Sequence, residues 1–396
     1  MQTISTLFSG GEGVGIGAKA AGLQHLWGVE WDDDIASVAR LNGFNTLTGD
    51  VRDRALMLSL LRPDVIHASP VCKNASNAKA DGEESPEDIE TADAVCAYID
   101  HFRPDTFTLE NVWGYRTFTA FAHIIECLNR NRYHVDFWHL NAANYGVPQT
   151  RQRLILVARL NGKPLRPVAT HARPDKITPM FDTRLPWIGW YAAIEDLIDT
   201  LPPSMFAPWQ LERLPEEITE TFASDMQNIG RDLSTREHAE PFTTVTATMM
   251  RRPIAEPKAF IVNGTPNDNG VSVTTCAQDD PIYTMTGSMD KRPARAFIML
   301  NANSTSAVIR YEDEPSPVQG NVERVGNQPR AWLSQGRVVK MTPRALARFQ
   351  SIPDWYILPD KVKLACTIIG NMVPPLLYQR VIEAQRNGAT TNTKGQ

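Results

Sequence analysis

Cys72 and Glu110 are the two residues whose types and placement could begin a reaction. Cys72 follows Asp64-Val-Ile-His-Ala-Ser-Pro-Val, a short apolar run that predicts a buried strand stopping at Pro70. A thiol at the carboxyl end of a strand lies where open α/β sheets bind their ligands. Further on, Thr106-Phe-Thr-Leu-Glu-Asn-Val112 repeats the pattern, a β-branched and aromatic run ending in Glu110 and Asn111. If the two strands are neighbours, a nucleophile and a carboxyl partner share one crevice. The other cysteines, Cys96, Cys127, Cys276 and Cys366, have the ordinary character of small buried hydrophobes. With Cys72 the cysteines number five; scattered and never spaced Cys-x-x-Cys, they indicate neither a disulfide framework nor a metal cluster, so no metal is expected.

The elements that must position this pair alternate between strand and helix. Thr3 to Phe8 predicts a first strand, followed by Gly10-Gly-Glu-Gly-Val-Gly-Ile-Gly17 and a helix over Ala18 to Leu23. Glycine-rich turns between strand and helix let backbone N–H groups approach a ligand, although the spacing is not the dinucleotide G-x-G-x-x-G. Trp27-Gly-Val-Glu-Trp31 predicts a second strand whose Glu30 is placed for ribose hydroxyls, and a third, Asn45 to Asp50, ends in an acid able to accept from an adenine amino group. A polar loop from Lys73 to Glu84 precedes a well-marked helix. Ser85 is its N-cap, Pro86 its first residue, and Glu87 and Asp88 complement its dipole before the run to His101. A helix over Phe118 to Asn131 and strands over Tyr133 to Leu140 and Arg153 to Leu160 complete the pattern. The alternation means a mostly parallel sheet covered by helices on both faces.

Beyond residue 165 prolines multiply and only short helical pieces are expected as far as Glu220. A degenerate repeat follows. Glu240-Pro-Phe-Thr-Thr-Val-Thr-Ala with Arg252-Pro and Ala259-Phe-Ile is echoed by Asp280-Pro-Ile-Tyr-Thr-Met-Thr-Gly with Arg292-Pro and Ala296-Phe-Ile. A fainter copy spans 314–333. Each unit predicts a β-hairpin with basic residues near its turn, suited to a nucleic-acid groove, although Thr/Val alternation is also ordinary strand chemistry. Thr342-Pro343 caps a helix to Gln350, Gly370 is expected to open a last helix to about Arg386, and Gly388 to Gln396 are expected to be disordered.

The formal net charge of −5 argues mildly against nucleic acid, but Glu240 to Gln350 carries a slight basic excess that permits a polyanion. The amino-terminal stretch lacks the order of a secretory signal, and no apolar run approaches a membrane span. A cytoplasmic, nucleoid-associated protein with no membrane partner is expected.

Taken in order, these motifs resemble the cytosine-C5 DNA methyltransferase family over nearly the whole chain apart from its variable middle. Phe8-Ser-Gly10 with Gly11 and Gly13 resembles the family's first motif, and Glu30 and Asp50 its acids for the ribose and adenine of S-adenosylmethionine. Ser69-Pro70-Val71-Cys72 resembles the Pro-Pro-Cys nucleophile motif, Glu110-Asn111-Val112 matches Glu-Asn-Val, and Gln149-Thr-Arg151-Gln-Arg153 matches Gln-x-Arg-x-Arg. Arg337-Val-Val-Lys-Met-Thr-Pro-Arg344 resembles the motif after target recognition, and Gly370-Asn371-Met-Val373-Pro-Pro375 the closing one. Three departures stand out: Glu12 in place of a usual glycine, Val71 in place of the second proline, and Lys73 in place of a glutamine. The cation of Lys73 should favour the Cys72 thiolate, lowering its pKa from the unperturbed ~8.5.

The resemblance implies a Rossmann-like catalytic domain over 1–165, with a smaller β-rich target-recognition domain over 166–350 that includes the repeat and the basic helix after it. Residues 351–396 return to the catalytic domain. It implies that Cys72 adds to C6 of a flipped cytosine, that Glu110 serves N3, and that Arg151 and Arg153 serve O2, with Asn111 orienting the site. S-adenosylmethionine becomes S-adenosylhomocysteine in a pocket including Pro70, Asn371 and Val373. Lys73, Arg251, Arg252, Lys291, Arg292, Arg337 and Arg344 are the expected contacts to double-stranded DNA. A monomer acting beside a restriction or phage-defence system is expected. Methylation of tRNA and a non-catalytic DNA-binding paralogue are the alternatives, the latter disfavoured by the intact Cys72, Glu110, Arg151 and Arg153.

Overall fold

The computed structural model describes residues 1–70, 84–173, 176–177, 182–202, 259–267, 270–277, 281–283, 295–299 and 336–391, with side chains left aside over 259–277, 283, 295–299, 336–338 and 387–391. Contacts divide the chain into two units. The first comprises 1–195, 279–291 and 343–396, and the second 196–278 and 292–342. Residues 279–291 and 343–350, inside the stretch expected to form the second domain, are grouped with the first unit.

In the first unit the strands β1 (Thr3–Leu7), β2 (Gln24–Glu30), β3 (Thr46–Thr48), β4 (Val65–Ala68), β5 (Thr106–Asn111), β6 (His134–Asn141) and β8 (Gln152–Arg159) form one sheet, and β7 (Gln149–Thr150) stands apart. The order is β3-β2-β1-β4-β5-β8-β6, with β8 alone reversed against its neighbours. Helices α1 (Gly13–Ala20), α2 (Asp33–Leu41), α3 (Arg54–Ser59), α4 (Pro86–Phe102) and α5 (Thr119–Arg130) connect the strands. This is the mostly parallel, helix-covered sheet that the sequence predicts.

The central strands are buried on both faces: every position of β4 and β5 is buried, and β8 is buried from Leu154 to Ala158. On β8, Leu154, Leu156 and Ala158 join the core beneath α4 and α5. Ile155 and Val157, on the opposite face, pack with Leu377 and Val381. Ile4, Val14, Ala18 and Val65 meet Val373, Tyr378 and Ile382. That second face is therefore closed by residues from the far end of the chain. Helix α4 starts as expected, with Asp88 accepting from the Ser85 N–H at 2.8 Å and its hydroxyl at 2.7 Å.

Three expectations change. Helix α1 begins at Gly13, inside the glycine run, and stops at Ala20. The glycines are needed for contact: a Cβ on Gly13 would lie 2.2 Å from the Val373 carbonyl oxygen, and one on Gly17 2.3 Å from that of Pro375. After the short strands β9 (His171–Ala172) and β10 (Leu185–Pro186) and helices α6 (Trp190–Ile194) and α7 (Pro343–Phe349), helix α8 covers Val362–Asn371. Gly370 and Asn371 thus close α8, and α9 (Pro375–Thr391) begins only at Pro375 and continues through residues expected to be disordered.

In the second unit β11 (Ala259–Asn267), β12 (Gly270–Ala277), β14 (Arg295–Met299) and β15 (Gly336–Lys340) form an antiparallel sheet in the order β12-β11-β14-β15. The two Ala-Phe-Ile copies of the repeat pair with one another, Phe260 opposite Phe297. Strands β11 and β12 pair from Phe260 opposite Ala277 to Asn267 opposite Gly270, and the basic residues expected near the hairpin turns lie outside the described residues. The strand expected over 240–247 and the third copy lie outside the described residues. Strand β13 (Ile282–Tyr283) pairs in parallel with β7 of the first unit's own residues. No described helix is long and apolar enough to cross a membrane.

Candidate active site

Strands β4 and β5 lie side by side, Ala68 opposite Leu109, so Ser69-Pro70 and Glu110-Asn111 emerge together at one end of the sheet. Asn111 donates its amide to the Pro70 carbonyl at 3.0 Å and accepts from the Val112 N–H at 2.8 Å. The chain is thereby gripped two residues ahead of Cys72, which itself lies outside the described residues, as do Lys73, Arg251, Arg252, Lys291 and Arg292.

Glu110 is buried, and each of its oxygens has a donor. Arg153 Nε approaches Oε1 at 2.8 Å, and the Ser69 hydroxyl donates to Oε2 at 3.3 Å. Because β8 runs antiparallel to β5, its amino-terminal end brings Arg153 to the carboxyl end of β5. Arg151 is also buried and donates to the Gly370 carbonyl at 3.1 Å. Burial weighs against the charge of both guanidiniums, and for Arg151 the neighbouring Arg153 adds to it. Two buried cations beside one carboxylate leave an excess of positive charge, suited to electron density developing on a bound group.

At the neighbouring strand ends, Glu30 accepts from the Gly10 N–H at 2.8 Å and the Asp32 N–H at 3.1 Å. Desolvation raises its pKa above the usual carboxylate range in spite of these donors. Trp31, beside it, is 69% exposed, which leaves a large indole uncovered next to a buried acid. It was not among the residues expected at the site, and its position directly after Glu30 was the available signal. Phe8, Gly10 and Glu12 all have positive φ, so the loop between β1 and α1 is tightly wound. A Cβ on Gly10 would meet nothing within 4 Å, whereas one on Gly11 would meet Met372 and Ile368. Tyr356 donates to the Gly11 carbonyl at 2.8 Å. Val373 is buried against this loop and Asn371 is exposed.

Asp50 is engaged by Arg52, whose Nη2 lies 2.6 Å from Oδ2, and this hydrogen bond holds the carboxyl below its usual range. Arg344 donates to the carbonyls of Pro353 at 3.3 Å and Tyr356 at 2.7 Å, so its guanidinium braces that turn. Arg337 lies on β15. Cys96, Cys127 and Cys366 are buried and take part in no disulfide, in keeping with a structural reading of them.

Glu12, the departure from the family's glycine, has a role the sequence did not disclose. Its fully buried carboxylate accepts from Thr6 Oγ1 at 2.9 Å and Thr46 Oγ1 at 3.0 Å, and lies 3.1 Å from His25 Nε2. It ties β1, β2 and β3 together beneath the glycine loop.

A family model described as C-5 cytosine-specific DNA methylase matches residues 1–386. The Type II methyltransferase M.AplI of Arthrospira platensis is 34% identical, covering 96% of this chain and 84% of its own. The Type II methyltransferase M.AgeI of Thalassovita gelatinovora is 23% identical over 97% of this chain and 98% of its own. Among solved structures, the S. pombe Dnmt2 methyltransferase matches with a TM-score of 0.52 at 13% identity, covering 98% of this chain and 99% of that one, a likeness of fold.

Proposed function

This chain belongs to the C-5 cytosine-specific DNA methylase family, and from its standing as a DNA (cytosine-5)-methyltransferase we propose how its residues carry the reaction. Cys72 thiolate adds to C6 of a cytosine turned out of the duplex, which makes C5 enamine-like. Glu110 gives a proton to N3 as density builds there, while Arg151 and Arg153 stabilise the charge at O2. After C5 is methylated, loss of its proton to solvent expels Cys72 as the thiolate, and N3 returns its proton to Glu110. Asn111 holds the backbone from which Cys72 is presented.

S-adenosylmethionine supplies the methyl group that C5 takes up, and the strand ends fit it. The fit rests on the open side of Gly10 and the uncovered indole of Trp31 beside buried Glu30. Glu30 and Asp50 serve the ribose and the adenine amino group, Phe8, Gly10, Gly11 and Gly13 line the loop, and Pro70, Asn371 and Val373 complete the pocket. Lys73, Arg251, Arg252, Lys291, Arg292 and Arg337 engage DNA, largely through phosphates. The Type II names of the relatives support service as the modification arm of a restriction or phage-defence system.

The observation that carries this reading is the clamp on Glu110, with Arg153 at 2.8 Å on one oxygen and Ser69 on the other. The experiment is transfer of tritiated methyl from S-adenosylmethionine to duplex DNA and to bulk tRNA by wild type and Cys72→Ala. DNA labelling that vanishes in the variant is expected. Labelling of tRNA alone would overturn the choice of substrate, and labelling that survives in Cys72→Ala would overturn the nucleophile.

A further inference from the structure

We propose that His67 and Ser69 are positioning residues for Glu110, joined to it by a buried one-way chain of neutral hydrogen bonds. The chain aims a hydroxyl proton at the oxygen where charge collects as Glu110 gives its own proton away. The inference rests on the role of Glu110 proposed above.

The direction of each bond can be worked out in turn. Ser69 has one hydroxyl proton, and Glu110, once it has given its own proton to N3, is a carboxylate that only accepts, so Ser69 Oγ donates to Glu110 Oε2 at 3.3 Å. Ser69 Oγ must then accept from His67 Nε2, 2.8 Å away. Burial holds the His67 pKa down to about 3, so the ring is neutral and a proton on Nε2 leaves Nδ1 bare. Nδ1 accepts from Thr108 Oγ1 at 2.8 Å, and Thr108 in turn accepts from the Tyr378 hydroxyl at 3.1 Å. Burial pushes the Tyr378 phenol well above its ordinary range, so it keeps its proton. The ring of Tyr378 also stands edge-on to that of His67, with centroids 5.0 Å apart, which fixes the imidazole.

Strands β4 and β5 and helix α9 thus contribute Ser69, His67, Thr108 and Tyr378 to one polarised line. The charged groups facing its end are Arg153, on the other oxygen of Glu110, and Arg151. In the reaction N3 gains the proton that Glu110 loses, and Ser69 keeps its own, its hydrogen bond strengthening as the acceptor becomes charged. No proton need enter or leave the core. A donor fixed before the step and stronger after it lowers the barrier without tightening substrate binding.

The test compares DNA methylation by wild type, Ser69→Ala, His67→Phe, His67→Gln and the Ser69→Ala/His67→Phe double variant, with melting and S-adenosylmethionine binding measured for each. Ser69→Ala should lower kcat roughly tenfold and His67→Phe about threefold, with KM for DNA and cofactor unchanged. His67→Gln, whose amide N–H can stand in for Nε2–H, should recover the rate, and the double variant should be no slower than Ser69→Ala. Nitrogen-15 NMR of the wild type should show His67 protonated at Nε2 alone. The proposal is overturned if wild type methylates DNA and His67→Phe matches it, if the two single effects multiply, or if Nδ1 carries the proton. A wild type that labels no DNA overturns the reading of Glu110 as well.

Discussion

Asn111 and Pro70, on adjacent strand ends, are joined by an amide-to-carbonyl hydrogen bond of 3.0 Å. It fixes the backbone from which Cys72 departs, and the same amide group accepts from the Val112 N–H. Asn111→Ala should cost about 1 kcal/mol of stability, the ordinary worth of such a bond, and lower single-turnover methyl transfer by roughly 10-fold to 100-fold. Urea denaturation and rapid-quench kinetics on one preparation would separate the two effects.

Arg153 and Glu110 form a buried pair, so removing one partner is worse than removing both. Arg153→Ala should destabilise by about 3 kcal/mol because it withdraws the guanidinium from a buried carboxylate. Glu110→Gln with Arg153→Met should recover most of that loss and remain inactive. Denaturant midpoints of the two variants beside wild type decide it.

Glu12 stands at φ 63, a left-handed conformation that disfavours side chains. Restoring the family's glycine relieves that strain but strips Thr6 and Thr46 of their acceptor and removes the carboxylate 3.1 Å from His25. The second effect should win, with Glu12→Gly less stable by about 2 kcal/mol. A variant more stable than wild type in chemical denaturation would show that backbone strain dominates.

His67 should make the protein acid-sensitive. Its folded pKa, about 3, lies below the unfolded value of 6.5. As pH falls through that window the unfolded chain binds a proton that the folded one refuses, so stability is complete above about 6.5 and declines toward 3. The loss at pH 5 should be on the order of 2 kcal/mol. His67→Gln should flatten this part of the profile, and an unchanged slope would assign the acid sensitivity elsewhere.

Two glycines of one run, Gly10 in the loop and Gly17 in α1, should respond differently to alanine. Gly17→Ala would press a methyl group to 2.3 Å from the Pro375 carbonyl oxygen, forcing α9 away at a cost of about 3 kcal/mol. Gly10→Ala meets no atom within 4 Å and carries only the penalty of its φ of 53, about 1 kcal/mol. Thermal melts ranking them the other way would contradict the packing account.

The strands and the reacting motifs were legible because their signals are local. Apolar runs mark β4 and β5, and Ser85-Pro86 with Asp88 marks the start of α4 whatever lies elsewhere. The start of α1 was not legible. Glycine disfavours helix by propensity, and the reason for helix there is a pair of carbonyls at 373 and 375. Glu12 looked like a lost glycine because nothing in its neighbourhood announces that Thr46 and His25 converge on it. His67 and Ser69 passed as filler in an apolar strand, since their partners Thr108 and Glu110 lie on the next strand.

Helix α9 covers the face of the sheet that carries Ile4, Val14 and Val65, and its Arg386 bonds the Ala21 carbonyl, 365 residues away in sequence. During synthesis the amino-terminal strands therefore leave the ribosome with that face bare, and it stays bare until α9 emerges. The glycine loop cannot settle against Val373 before then. The glycine loop and α9 thus settle together in one late event, and a message broken before the codons for α9 yields a protein that is exposed to proteolysis rather than a weakened enzyme.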